Sequence, residues 1–440
     1  MKRLFIPTLI ILTALLGACT PAQDAAPTAE PQPTATDIEE SVPQETTDAA
    51  EPELPIANAD NPCLPFSLMD VLLANPLPGL PPVTSDDWTL GPEDAAVTFM
   101  EYSELQCPYC AQLEPLMMAI QEAYPDDVRI VFRHRPFDET FHDKSILGAQ
   151  ALEAAGKQGK FQEFKNFMFE RQSKNPNNPA VADLADAEFW AGISPDQFDE
   201  WIAERVPDLG MDAEQFLEDM FNEEIVDKIT QKQDEANKLG INGTPTLFIN
   251  GFIWPEQQKG LDLFSIYTDL VLGQEKEYSA CPPTIVDADK EYSATISTTQ
   301  GDILVDLYAD QAPYAVNSFL FLAREGWYDN MGFFATDEFV MTGDPSDTGF
   351  GGSGYIFLDE VVADLNFNDP GILSTYARLG PGLNTSTFFI SKIPLTGQEG
   401  RSIFGKVTSG LEILEKMAVI QNVNSKDDLD RVLSITITEK

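Results

Sequence analysis

A Cys107-Pro108-Tyr109-Cys110 tetrapeptide, flanked by two different hydrophobic periodicities, leaves few folds open to this chain. Before it, the run from Ala95 to Tyr102 reads as a strand; after it, Leu113, Leu116, Met117 and Ile120 recur at helical spacing. Strand, short loop, helix is the order that sets a thiol at a helix N-terminus, where unpaired N–H groups and the positive dipole end favour the thiolate. Cys107 is therefore the candidate nucleophile and Cys110 its partner. Half of a zinc site is the competing reading. No second cysteine pair exists to complete one, and only His134 and His142 offer nitrogen ligands, so no metal and no cofactor is expected.

Val128 to Arg133 supplies a second strand after Pro125-Asp126-Asp127, and residues 145–172 read as helix, with Phe161, Phe164, Phe167 and Met168 forming a core stripe. Residues 180–238 are acid-rich and helical in pattern, with helix starts at Ser194-Pro195-Asp196 and Met211-Asp212-Ala213-Glu214, and read as an inserted helical subdomain. Gly240 to Gly251 then forms a strand introduced by Thr244-Pro245 and closed by Asn250-Gly251.

In that order, these motifs make residues 86–275 resemble the DsbA-like branch of the thioredoxin superfamily. The resemblance implies a cis Thr244-Pro245 bond beside the sulfurs, substrate pairing with the Thr244 backbone, and Pro108 and Tyr109 at the substrate surface. Glu101 falls where that branch carries a buried glutamate, so it is either a proton relay for Cys110 or a solvated strand-end carboxylate. The implied activity is thiol-disulfide exchange on unfolded or secreted thiol-containing proteins, with a membrane redox partner. Oxidase, isomerase and reductase directions stay open. Pro108-Tyr109 lacks the histidine of the strongly oxidising pattern, while the lack of a separate dimerisation domain favours an oxidase.

The second half opens with alternating strands, Tyr292 to Ile296 and Gly301 to Tyr308, then a helical run through Val316, Phe319 and Leu322. With Gly343-Asp344-Pro345, Thr348 to Tyr355, Asn384 to Ile390 and Ile403 to Val407, it resembles a cyclophilin over nearly all of 290–440. That family is a closed β-barrel capped by helices, and its active members isomerise X-Pro bonds in an apolar groove. Ala377 and Phe389 fall on groove-lining positions. The catalytic Phe-His-Arg-Val stretch reads Phe333-Phe334-Ala335-Thr336, which sets alanine in place of the arginine that polarises the amide. Full, weak or absent isomerase activity all remain, the last leaving a binding role. The isomerase alternative needs another arginine, Arg378 or Arg401, in the groove.

The fold class expected is thus multidomain: an α/β thioredoxin fold with a helical insertion, then an all-β cyclophilin-like barrel with capping helices. The boundaries are 61–281 and 290–440, with a linker at 282–289. Ahead of them, Lys2, Arg3, an apolar run and Leu16-Gly17-Ala18-Cys19 resemble a bacterial lipoprotein signal over residues 1–19 with Cys19 lipidated. An ordinary cleaved signal or a short uncleaved anchor are the alternatives. Residues 20–60 hold Pro, Ala, Thr and acids without Lys or Arg, a disordered tether by composition. The expected location is extracytoplasmic, bound to a bacterial membrane by lipid alone. A net charge of -45 argues against nucleic acid as a partner. Cys63 and Cys281, left over once the others are assigned, flank the redox domain and are expected to pair as a structural disulfide, two unpaired thiols being the alternative.

Overall fold

The computed structural model describes residues 55–72, 76–138, 140–172, 185, 188–255, 259–378, 380–398, 400–419 and 426–440. The signal-like segment, Cys19, the tether up to residue 54 and residues 173–184 of the insertion lie outside the described residues. Among those described, no helix is long and apolar enough to cross a membrane.

The chain enters through β1 (Cys63–Pro65) and α1 (Leu68–Leu72), then builds a first unit. Its strands are β2 (Trp88–Leu90), β3 (Val97–Ser103), β4 (Val128–His134), β5 (Thr246–Ile249) and β6 (Phe252–Ile253), and α2 (Pro108–Ala123) lies between β3 and β4. They form one sheet in the order β2-β4-β3-β5-β6, with β3 and β4 parallel. The alternation of β3 explains its burial on both faces. Val97 and Phe99 pack with Leu113, Met117 and Ile120 of α2, while Met100 and Tyr102 pack opposite with Val131 and Phe248.

Among the described residues, five α-helices lie in the connection from β4 to β5: α3 (Ser145–Lys157), α4 (Phe161–Glu170), α5 (Pro195–Ala203), α6 (Ala213–Met220) and α7 (Glu223–Lys238). The helical layer therefore begins at residue 145, ahead of the insertion expected from 180. Phe161, Phe164 and Met168 lie in its core with Trp190, Phe198 and Phe216. Residues of α8 (Leu261–Gly273) join Phe99 and α2 in the core below the sheet.

A second sheet is built from β7 (Tyr292–Thr298), β8 (Gly301–Leu307), β9 (Phe334–Ala335), β10 (Phe339–Thr342), β12 (Ile372–Thr375), β13 (Phe388–Ser391), β14 (Ile403–Ser409) and β15 (Val432–Glu439). β11 (Tyr355–Phe357) stands apart from it and pairs with β1. Every ladder in the order β15-β7-β8-β14-β12-β13-β10-β9 is antiparallel. The sheet curls until its edges approach at a single bridge, Gly332 to Arg431, so the expected closed barrel lacks a full closing ladder. Among the described residues two α-helices accompany it, α9 (Pro313–Arg324) and the short α10 (Leu411–Leu414); Val316, Phe319, Leu320, Ile413 and Leu414 join the core under the sheet.

Candidate functional site

Cys107 is the N-cap of α2 and Pro108 opens the first turn, where its missing N–H costs nothing. Both sulfurs are sheltered, Cys107 being 3% and Cys110 0% exposed, while Tyr109 projects with 63% of its surface free. The Cys107 thiol lies 3.3 Å from the Thr244 carbonyl oxygen, and the Thr244-Pro245 bond is cis. The pair is electrostatically unequal. A hydrogen bond from Cys110 brings the Cys107 thiol down to about 6, against the opposing effect of burial. Burial, then the bond to Cys107, pushes Cys110 well above the ordinary thiol value. Cys107 is thus the sulfur present as thiolate near neutral pH, and Cys110 the one that keeps its proton.

Glu101 lies on β3 two residues before Ser103 and is fully buried, which corrects the reading of a solvated strand-end carboxylate. Among the described residues its close cation is Lys165 of α4 at 3.6 Å, which Glu114 of α2 shares at 3.0 Å. Neither Glu101 oxygen has a hydrogen-bond partner among the described residues. Burial pushes this carboxyl up to about 7 although Lys165 opposes the shift, so it can hold or release a proton near neutrality. Sequence reasoning missed Lys165, hidden in the aromatic stripe of α4. It also missed Glu104, buried at 2% three residues before Cys107, and used His142 only to weigh zinc. Among the described residues no cluster of three or more His, Cys, Asp or Glu is disposed to hold a metal.

In the second unit, β9, β10 and β13 bring Phe334, Phe339, Met341 and Phe389 into one cluster with Phe367 and Tyr376. Phe389 is only 2% exposed: Phe367 stacks on it at 5.7 Å, and Phe339 and Tyr376 stand at 5.4 and 6.1 Å. Phe389 is thus covered by the chain's own side chains rather than exposed at a surface. Ala377 is half-buried beside Tyr376. Ala335, set by sequence at the lost arginine, turns instead into the main core at 0% exposure, and its neighbour Phe334 faces the aromatic cluster. Arg378 lies over the Phe350 ring at 3.7 Å and donates to the Gly349 carbonyl. Arg401 does reach the cluster, its guanidinium 5.1 Å from the Tyr376 ring and 5.8 Å from that of Phe389, with Nε donating to Gln398.

Comparison with known proteins agrees with both halves of this description. Residues 84–263 match the family described as Thioredoxin, and residues 293–439 match Cyclophilin type peptidyl-prolyl cis-trans isomerase/CLD. Peptidyl-prolyl cis-trans isomerase-like 1 of Emericella nidulans is 40% identical over 144 residues, 31% of this chain and 88% of that protein. The chain belongs to the cyclophilin-type family, with a thioredoxin-like domain fused ahead of it. Peptidyl-prolyl cis-trans isomerase ppi1 of Schizosaccharomyces pombe is 40% identical over 136 residues, 30% of this chain and 87% of its own length. A crystal structure of a thioredoxin-like oxidoreductase from Silicibacter pomeroyi DSS-3 is 26% identical, over 44% of this chain and 95% of that one, with a TM-score of 0.33.

Cys63 and Cys281 are joined by a disulfide, with their Cα atoms 6.1 Å apart. Its place differs from the expected staple around the thioredoxin-like domain. Cys63 lies opposite Phe357 in the β1–β11 ladder, and both cysteines pack against the core of the cyclophilin-type domain. The stretches 61–66 and 278–281, read from sequence as part of the redox domain, thus contact the cyclophilin-type domain.

Proposed function

We propose that the thioredoxin-like domain is a thiol-disulfide oxidoreductase of the DsbA-like kind, acting outside the cytoplasm on secreted or envelope proteins and held to a bacterial membrane by lipid on Cys19. The observation that carries this reading is the unequal pair at the start of α2, a Cys107 thiol down at about 6 beside a Cys110 thiol held high by burial. A substrate thiolate attacks Cys107 Sγ, the Cys107–Cys110 bond breaks, and its electron pair leaves on Cys110, which takes a proton that Glu101 can supply. A second substrate thiolate then attacks the substrate sulfur of the mixed disulfide and expels the Cys107 thiolate. Two electrons pass from substrate to enzyme, and a membrane redox partner reoxidises the pair. Thr244 holds the substrate backbone, with Pro108 and Tyr109 exposed for contact. In a disulfide-transfer assay Cys107→Ser should lose activity altogether, and Cys110→Ser should accumulate mixed disulfides on non-reducing gels. Undiminished transfer by Cys107→Ser would sink the reading.

Prolyl isomerisation is the second reading, supported by the isomerase names of the relatives and by Arg401 at the aromatic cluster. The cover over Phe389 weighs against efficient turnover at that surface, leaving a domain that props the redox domain or holds substrate chains elsewhere. Fold alone does not confer the activity.

A further inference from the structure

The dipeptide between the two cysteines carries no histidine, yet an imidazole reaches the redox site from elsewhere in the chain. His142 lies in the loop between β4 and α3, and its Nδ1 is 2.5 Å from Glu104 Oε1. The other Glu104 oxygen accepts the Gln106 N–H at 2.8 Å and the Ser145 hydroxyl at 3.0 Å. With both oxygens occupied and its side chain 1% exposed, this carboxylate is fixed in the turn that delivers Cys107, whose own N–H donates to the Glu104 carbonyl at 3.3 Å. Phe137 and Phe141 wall the imidazole at 5.9 and 4.5 Å, and its ring keeps about a fifth of its surface open.

We infer that His142 is a positioning residue for the redox pair: as an imidazolium held by Glu104, it offsets that buried carboxylate and stabilises the Cys107 thiolate as it is expelled. The inference rests on the thiol-disulfide reading and deepens it. Without a counter-cation, Glu104 would oppose formation of the thiolate three residues away. The electrostatics run both ways, since Glu104 raises the Cys107 thiol and the Cys107 thiolate, after Glu104 itself and against burial, helps raise His142. Among the described residues Asp143 is a further charge acting on the ring, and Lys144 pairs with it at 2.6 Å. Atoms and electrons balance without a further reactant. When the second substrate thiolate breaks the mixed disulfide, the sulfur–sulfur pair of electrons goes to Cys107, and His142 keeps its proton throughout. By reciprocity, a cation that is favoured by the thiolate favours the reduced enzyme, so protonated His142 makes the pair a better oxidant.

The chain has only 2 histidines, and the other, His134, is buried against Glu153 at 2.8 Å, so the imidazole signals of the full chain can be assigned with one His142→Gln variant. Nuclear magnetic resonance titration of the oxidised and reduced wild-type protein should place the His142 midpoint higher in the reduced form by roughly half a unit to one unit. Reduced Cys107→Ser should titrate His142 as the oxidised wild type does. A His142 midpoint that is the same in both redox states overturns the inference. As a second readout, ultraviolet thiolate absorbance should show Cys107 titrating higher in His142→Gln and back near wild type in Glu104→Gln/His142→Gln. A purely structural histidine would leave the double variant no better than the single, and that outcome also overturns the inference. Wild-type protein that transfers no disulfide while its His142 midpoint moves with redox state overturns the oxidoreductase reading alone; normal transfer with a fixed midpoint overturns this inference alone.

Discussion

Glu101 shows how much a single buried carboxyl can impose on the chain around it. Unfolded, it titrates near the ordinary 4.5; folded, it holds its proton up to about 7. Between those values the folded chain carries a proton that the unfolded chain has released, so stability falls as pH rises through this window and the loss is complete above it. At about 1.4 kcal/mol per unit, the cost at pH 8 is on the order of 3 kcal/mol. Lys165 does not depend on Glu101 for neutralisation, because Glu114 lies nearer to it at 3.0 Å. Glu101→Gln is therefore expected to match the wild type in melting temperature at pH 5 and to exceed it at pH 8 by roughly 5 °C or more. In the proposed mechanism Glu101 supplies the Cys110 proton, so the same variant should transfer disulfides more slowly at pH 7. Equal pH dependence of melting in the two proteins would show that the carboxyl does not titrate in this window.

At the scale of elements, strands and helices follow visibly from periodicity, but which face a residue takes depends on register. The β-type run before Cys107, the helix after it and the strand closed by Asn250-Gly251 lie where alternation and 3.6-residue spacing set them. Which of Phe334 and Ala335 faces the aromatic cluster depends on register, because one residue of slip in a strand turns every side chain to the opposite face. β9 is two residues long and pairs Met341 with Phe334 and Val340 with Ala335, which puts Phe334 on the cluster side. Glu104 and His142, 38 residues apart, gave no local signal. Parallel pairing sets Ser103 beside His134, and the chain then folds back from β4 to reach the carboxylate. The cover over Phe389 gave no local signal, being made by Phe367, Tyr376 and Arg401 from separate stretches of the chain. Tyr376→Ala should uncover that surface. A proline-containing unfolded peptide is expected to bind the full-length variant roughly tenfold tighter than wild type by calorimetric titration, because the open arrangement is otherwise a minor state. Unchanged affinity would place peptide binding elsewhere.

Across the whole molecule the two domains are tied at several points. Tyr278, just after α8, sets its ring on Phe321 and Trp327 at 5.1 and 5.5 Å and donates its N–H to the Ser353 carbonyl at 2.8 Å. The approach is so close that a Cβ on Gly354 would fall 2.3 Å from the Tyr278 carbonyl oxygen, and Gly354 also has φ +82, so no other residue fits there without strain. The loop that meets α8 is organised by Asp344, which accepts the N–H groups of Ser346, Thr348 and Phe350 at 2.8, 2.9 and 3.0 Å. Phe350 from this loop packs against the thioredoxin-like core. Lys426 then bridges the domains, pairing with Asp269 of α8 and donating to the Ser346 carbonyl at 2.8 Å. Asp269 also accepts from the Tyr124 hydroxyl at 3.0 Å, and loss of Lys426 would leave its half-buried charge with that one neutral donor. Contacts this specific couple unfolding, whereas fused domains with thin interfaces melt separately. The oxidised full chain from residue 55 onward is accordingly expected to give one calorimetric transition, with the van't Hoff enthalpy close to the calorimetric one. Tyr278→Ala/Lys426→Ala should split it into two, most clearly under reductant, when the Cys63–Cys281 link no longer holds β1 beside the linker. Two transitions in the wild type, or a single one persisting in the reduced double variant, would show that these contacts touch the domains without joining them.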